Sequence, residues 1–194
     1  MSTPRSSSGS GGHTGRRAGG SAPARQSGKS AVPGKAPRES RVDMVQLVLP
    51  NDANTLGNVL GGMVLHWIDL AAAVVAHRHC RTQCVTASID QVSFEAPIRV
   101  GQLALITGRL TYAGRTSMEI RVDVQCEDLL TARRVQTSTA YLTFVAIDKK
   151  GRPVPVPPLL LETEHERREA RAAEARRAER LKKAHHAERE TTSR

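Results

Sequence analysis

Apolar positions recur at two different periods between Met44 and Pro158, and the changes of period mark out the elements. Val45, Leu47 and Leu49 alternate along the chain until Pro50, which predicts a short strand closed by a breaker. The polar stretch NDANTLGN then reads as a loop. From about Leu60 to His79 the stripe Met63, Trp67, Leu70 and Val74 has helical spacing and predicts a helix of about five turns. Four β-rich runs follow: CVTASIDQVSF, QLALITGRLTYA, TSMEIRVDVQCE and VQTSTAYLTFVAI. In the third, Met118, Ile120, Val122, Val124 and Cys126 face one way and Glu119, Arg121, Asp123, Gln125 and Glu127 the other, so one face of that strand covers a core. The proline-rich RPVPVPP ends the series, because proline has no N–H for a ladder.

One long apolar helix and a mostly antiparallel sheet define an α+β class, and the economical packing wraps the sheet around the helix. Residues 44–158 have the size of one domain. A curled sheet leaves open edges, and pairing with a second copy removes them, so a homodimer is expected.

Charge separates this domain from its flanks. The chain of 194 residues has a formal net charge of +10. Residues 1–43 carry eight Arg and Lys against Glu39 and Asp43, and the first 41 lack Leu, Ile, Phe, Trp and Tyr. Such a segment buries too little apolar surface to offset chain entropy and reads as a disordered basic arm. It lacks the apolar core of a secretory signal, and no later stretch has the length of a membrane span. Residues 159–194 carry ten basic and eight acidic side chains on good helix formers, with Leu181 the one large apolar residue after Leu161. They read as a solvated, partly formed helix whose near-neutral charge disfavours a nucleic-acid arm. Cys80, Cys84 and Cys126 form no CxxC pair, which points to a reducing, cytoplasmic setting. HRHCRTQC, residues 77–84, fits no usual zinc spacing, so no metal or cofactor is expected.

The candidate chemistry lies in GNVLGGMVLHWID, residues 57–69. Gly61 and Gly62 stand where the helix begins, and the first helical turn has N–H groups without intrahelical partners. Glycine lets another group approach that backbone closely, so a carbonyl oxygen over the Gly62 N–H would be polarised as in an oxyanion hole. Asp69 is a carboxylate two turns along an apolar helix, a costly place for a charge. Together with Asn54 in the preceding loop it suggests hydrolysis of an activated acyl group. The alternative is structural, with Asp69 in a buried ion pair, for example with an arginine across a dimer interface. His66, three residues before Asp69, is the rival for acid–base work.

PNDANTLGNVLGGMVLHWID, VTASIDQVSFEAPIRVG, GRTSMEIRV and AYLTFVAIDKKGRPVPVP, taken together, resemble the acyl-CoA hydrolase family of hot-dog-fold thioesterases over residues 44–158. The resemblance implies hydrolysis of acyl-CoA to free acid and CoA, in homodimers that assemble further into hexamers as trimers of dimers. It implies that Asn54 and Asp69 are the catalytic pair, contributed by opposite protomers, and that Gly61 and Gly62 are the paired glycines. Arg115, Thr116 and Ser117 fall on the loop that approaches the CoA nucleotide. A hot-dog hydratase using His66, or a non-catalytic acyl-CoA-binding regulator with nucleic-acid-binding arms, is the alternative.

Overall fold

The alternating strands pair into one antiparallel sheet whose apolar side curls over a single helix. In the computed structural model, residues 33–90 and 92–192 are described, with side chains described as far as Lys183; most of the expected basic arm lies outside them. Strands β1 (Val42–Leu47), β4 (Leu103–Ala113), β5 (Ser117–Glu127), β6 (Arg134–Ile147) and β2 (Gln83–Ile89) lie side by side in that order, and the short β3 (Ser93–Phe94) also pairs with β6. Every pairing is antiparallel. Register follows the hydrophobic pattern: Ile106 lies opposite Val124 and Leu110 opposite Ile120, so their side chains meet on one face. β1 and β2 form the two edges.

Helix α1 (Gly61–Cys80) crosses the concave face and buries Val64, Trp67, Ile68, Ala71, Ala72, Val75, Ala76 and His79. Small residues set the separation. A Cβ on Gly108 of β4 would come within 3.0 Å of Val75 Cγ2 and 3.5 Å of the Ala71 carbonyl, so the helix rests almost on the strand backbone. The buried stripe is rotated from the expected one: Leu70 is exposed, and Met63 and Val74 are only half-buried. The outward face of α1 therefore carries Gly62, His66, Asp69 and Leu70. Among the described residues no helix is long and apolar enough to cross a membrane. A curled antiparallel sheet around one long helix is the hot-dog fold of the resemblance.

Order begins before residue 44. Ala36 and Ser40 are buried, Lys35 N–H donates to the Pro158 carbonyl at 2.9 Å, and Lys35 Nζ donates to the His79 carbonyl at 2.7 Å. A segment without large apolar side chains is placed here by backbone pairing with the proline-rich run, and its lysine satisfies carbonyls at the C-terminal end of α1.

The C-terminal segment also departs from a solvated tail. Helix α2 (Glu164–Thr192) packs Ala170 and Ala173 against the convex side of the sheet. Glu119, pointing outward from β5, is only 1% exposed; it accepts from Arg176 Nη2 at 2.7 Å, Arg180 Nη1 at 3.0 Å and Thr111 Oγ1 at 2.9 Å. The Arg176 guanidinium also stacks 3.7 Å over the Tyr141 ring. Such a buried carboxylate holds only while its partners stay. Replacing both Arg176 and Arg180 with alanine should destabilise the domain by about 3 to 5 kcal/mol, read from urea unfolding. Replacing the exposed Glu164, whose partners Arg167 and Arg171 face water, should leave the midpoint unchanged.

Candidate active site

The loop before α1 shapes the first part of the site. Asn54 Oδ1 accepts from the N–H groups of Leu56 at 2.9 Å and Asn58 at 3.2 Å, and Gly57 adopts φ +73° to complete the turn. With its oxygen engaged, the exposed Asn54 side chain has its NH₂ group left to donate outward. α1 then starts without a side-chain cap at Leu60. The N–H groups of Met63 and Val64 bond to the Leu60 carbonyl, whereas those of Gly61 and Gly62 have no acceptor among the described residues. A Cβ on Gly62 would meet nothing within 4 Å, so another group can approach the backbone closely there. Two free donors at the positive end of a helix dipole suit an oxygen that gains charge.

Asp69 is half-buried on the outward face, and Thr86 Oγ1 of β2 donates to its Oδ1 at 2.9 Å. Among the described residues Asp69 has no basic partner, so within one protomer the ion-pair alternative finds no cation. His66 is exposed on the same face. Thr86 was missed by sequence reasoning, because a threonine in a β-rich run carries no signal until the strand is laid beside the helix.

Arg115 and Thr116 lie in the turn joining β4 to β5, and Ser117 opens β5. The Thr116 carbonyl accepts from Ala146 N–H and the Arg115 carbonyl from Val156 N–H, which clamps the turn between β6 and the proline-rich run. The Arg115 side chain projects into solvent. Cys80 at the end of α1 touches Met118 beside this turn, with sulfurs 3.7 Å apart. One protomer thus places its glycine pair and its Arg115 turn at opposite ends of α1. The histidines of HRHCRTQC turn away from each other, His77 bonding back to the Ala73 carbonyl and buried His79 to that of Pro157, while the Cys80 and Cys84 thiols lie side by side. No three metal-binding side chains converge among the described residues.

A family profile described as the thioesterase superfamily matches residues 56–132. A Bacillus subtilis protein named as an uncharacterized acyl-CoA thioester hydrolase is 42% identical over 129 residues, covering 66% of this chain and 75% of the relative. The crystal structure of an apo-hexameric acyl-CoA thioesterase, 42% identical, superposes with a TM-score of 0.76 over 79% of this chain and 98% of the other. This chain belongs to the acyl-CoA hydrolase family of hot-dog thioesterases. A Staphylococcus aureus member, solved with butyryl coenzyme A and coenzyme A, is 34% identical with a TM-score of 0.72, over 80% of this chain and 98% of that one. A rat cytosolic acyl coenzyme A thioester hydrolase is 38% identical over 66% of this chain, which spans 34% of that longer protein.

The S. aureus hydrolase has also been solved with an asparagine, an aspartate and a threonine each replaced by alanine, at the same relative spacing as Asn54, Asp69 and Thr86. In this family member Thr86 holds one oxygen of Asp69 through a charge-assisted bond and leaves the other free. Thr86→Val should lower the rate of thioester hydrolysis about tenfold with little change in melting temperature, and Thr86→Ser should keep it near wild type. Steady-state thiol release with a thermal melt on each variant measures both.

Proposed function

We propose that this chain hydrolyses acyl-CoA thioesters to the free carboxylic acid and CoA, at sites shared between two protomers. The observation that carries the reading is Asp69, oriented by Thr86 on the outward face of α1, together with two N–H groups at the start of the same helix that have no acceptor among the described residues. A thioester carbonyl accepting from the Gly62 N–H, and from the amide of Asn54, is polarised for attack. Asp69 either takes the proton of the attacking water or attacks as a nucleophile. The CoA thiolate leaves with little help, because a thiol pKa is only about 8.5, so a Ser-His-Asp triad is unnecessary.

Helix geometry supports sharing. Gly62 and Asp69 are separated by about 10 Å of helical rise, too far for a water on the carboxylate to reach a carbonyl held by the same chain's Gly62. Two α1 helices packed antiparallel across a two-fold axis would set the Asp69 of one protomer against the Gly62 and Asn54 of its partner. They would also bring the Arg115 turn, about 16 Å of rise beyond Asp69, to the side where a CoA nucleotide leaves the shared site. The uncovered apolar side chains suit such an interface: Leu70 on α1, Val85 and Ile89 on edge strand β2, and Phe94 are all exposed in one protomer. Hexameric relatives support a trimer of such dimers. The cytosolic name of the rat relative supports a cytoplasmic setting.

His66 lies on the same face, and a hydratase reading would give it the central role; the bond from Thr86 to Asp69 favours the carboxylate instead. Asp69→Asn should leave the fold intact and lower kcat by about 10² to 10⁴, while His66→Ala keeps most activity. Wild-type turnover by Asp69→Asn would sink the assignment. Mixing Asn54→Ala with Asp69→Asn in equal amounts, under conditions that exchange subunits, should return roughly a quarter of wild-type activity, because half the dimers then hold one intact site. An exchanged mixture, confirmed by mass, that is no more active than its parents would place both residues within one protomer's site.

Arg115 supplies a planar donor group suited to phosphate. Arg115→Ala should raise KM for acyl-CoA about tenfold and leave KM for short thioesters lacking the nucleotide unchanged. Equal losses on both substrates would make the residue structural.

A further inference from the structure

One buried hydroxyl beside the proposed oxyanion site has no hydrogen-bond partner among the described residues. Ser138 of β6 is fully buried and its Oγ is unsatisfied. It lies opposite Val124 in the β5–β6 register, so it points to the concave, helix-facing side of the sheet. At the bulge just beyond this pair, Thr137 turns its own hydroxyl onto the Val124 carbonyl at 3.0 Å and is satisfied. Ser138 instead lines a cavity of about 350 Å³ at the N-terminal end of α1. The walls of that cavity include Gly61, Val64, Phe94, Pro97 and Ile98, and the one charged residue lining it is the exposed Glu95. Phe94 closes over the helix start, with its ring 3.6 Å from where a Cβ on Gly61 would stand.

We propose that this cavity receives the acyl group and that Ser138 selects neutral acyl chains carrying a hydroxyl or oxo substituent, an inference that rests on the hydrolase reading above. A carbonyl placed on the Gly62 N–H sends the acyl chain past Gly61 into the cavity, where Val64, Ile98 and Phe94 cover its methylenes. A buried hydroxyl with no partner is costly to leave empty, and a substrate hydroxyl or oxo oxygen satisfies it by accepting its hydrogen bond. A site built to bond such a group discriminates against the analogue that lacks it. The Glu95 carboxylate repels a second carboxylate, so dicarboxylic acyl groups are disfavoured.

The test compares kcat/KM for butyryl-CoA, 3-hydroxybutyryl-CoA, 4-hydroxybutyryl-CoA and succinyl-CoA, in wild type, Ser138→Ala and Glu95→Gln. Wild type should prefer at least one hydroxyacyl substrate over butyryl-CoA by about five- to tenfold. Ser138→Ala should bring that ratio to about one through loss on the hydroxyacyl substrate alone. Its melting temperature should not fall, because the variant removes an unsatisfied group rather than a bonded one. Glu95→Gln should raise turnover of succinyl-CoA relative to butyryl-CoA. A wild-type ratio near one, a preference that survives Ser138→Ala, or equal losses on both substrates with a lower melting temperature would overturn the proposal while leaving the hydrolase reading intact. Wild type unable to cleave any of the four would remove the hydrolase reading, and this inference with it.

Discussion

The close seating of α1 on the sheet is the constraint from which the remaining geometry follows. Ala71, Ala72, Val75 and Ala76 are fully buried, and a Cβ on Gly108 beneath them would press on Val75 Cγ2 at 3.0 Å. A helix held that closely has one rotation about its axis that packs without clash. That rotation turns Gly62, His66, Asp69 and Leu70 outward together. The position of the carboxylate is thus a consequence of which small residues face the strands.

The two ends of α1 are finished differently. At the C-terminal end Arg81 takes the left-handed conformation at φ 53° and Lys35 reaches in to bond the last carbonyls. At the N-terminal end the Gly61 and Gly62 donors are left open, and the loop of Asn54 is held by its own side-chain oxygen. Polar groups at a helix end are ordinarily satisfied by caps, water or ligands. An end with glycines in place of a cap stays available to a ligand oxygen, and the unsatisfied Ser138 hydroxyl lies behind the same end.

The convex side follows a different logic from the core. Arg109, Arg121 and Asp123 of the sheet form a half-buried network with Glu169 of α2, and Glu119 is enclosed by Arg176, Arg180 and Thr111. Arg180 also bonds Asp90 at the end of edge strand β2, 2.7 Å away. Helix α2 thus ties β5, which begins at the Arg115 turn, to the strand that carries Thr86. The attachment uses charge and alanine rather than large apolar side chains, and Tyr141 gives Arg176 a face to stack on.

The sequence by itself determined the main elements and their order, except that CVTASIDQVSF, read as one strand, divides into β2 and β3. Alternation in TSMEIRVDVQCE assigns the faces of β5 correctly because side chains in a strand must alternate. The apolar run after Gly62 could only be a long, largely covered helix, and a carboxylate within it was conspicuous for its cost. Periodicity alone did not decide the rotation of α1: nearly every position from Met63 to Ala76 is apolar, and the pattern cannot tell Leu70 from Ile68 when steric fit at Gly108 makes the choice. Nor did it reveal the seat of α2, whose alanines and arginines look like a solvated helix until Glu119 is set opposite them. The order of residues 35–43 comes from backbone pairing, to which composition is blind. Thr86 beside Asp69, and Ser138 without a partner, depend on strands brought together from distant parts of the chain. Those relations exist only once the sheet has closed around the helix.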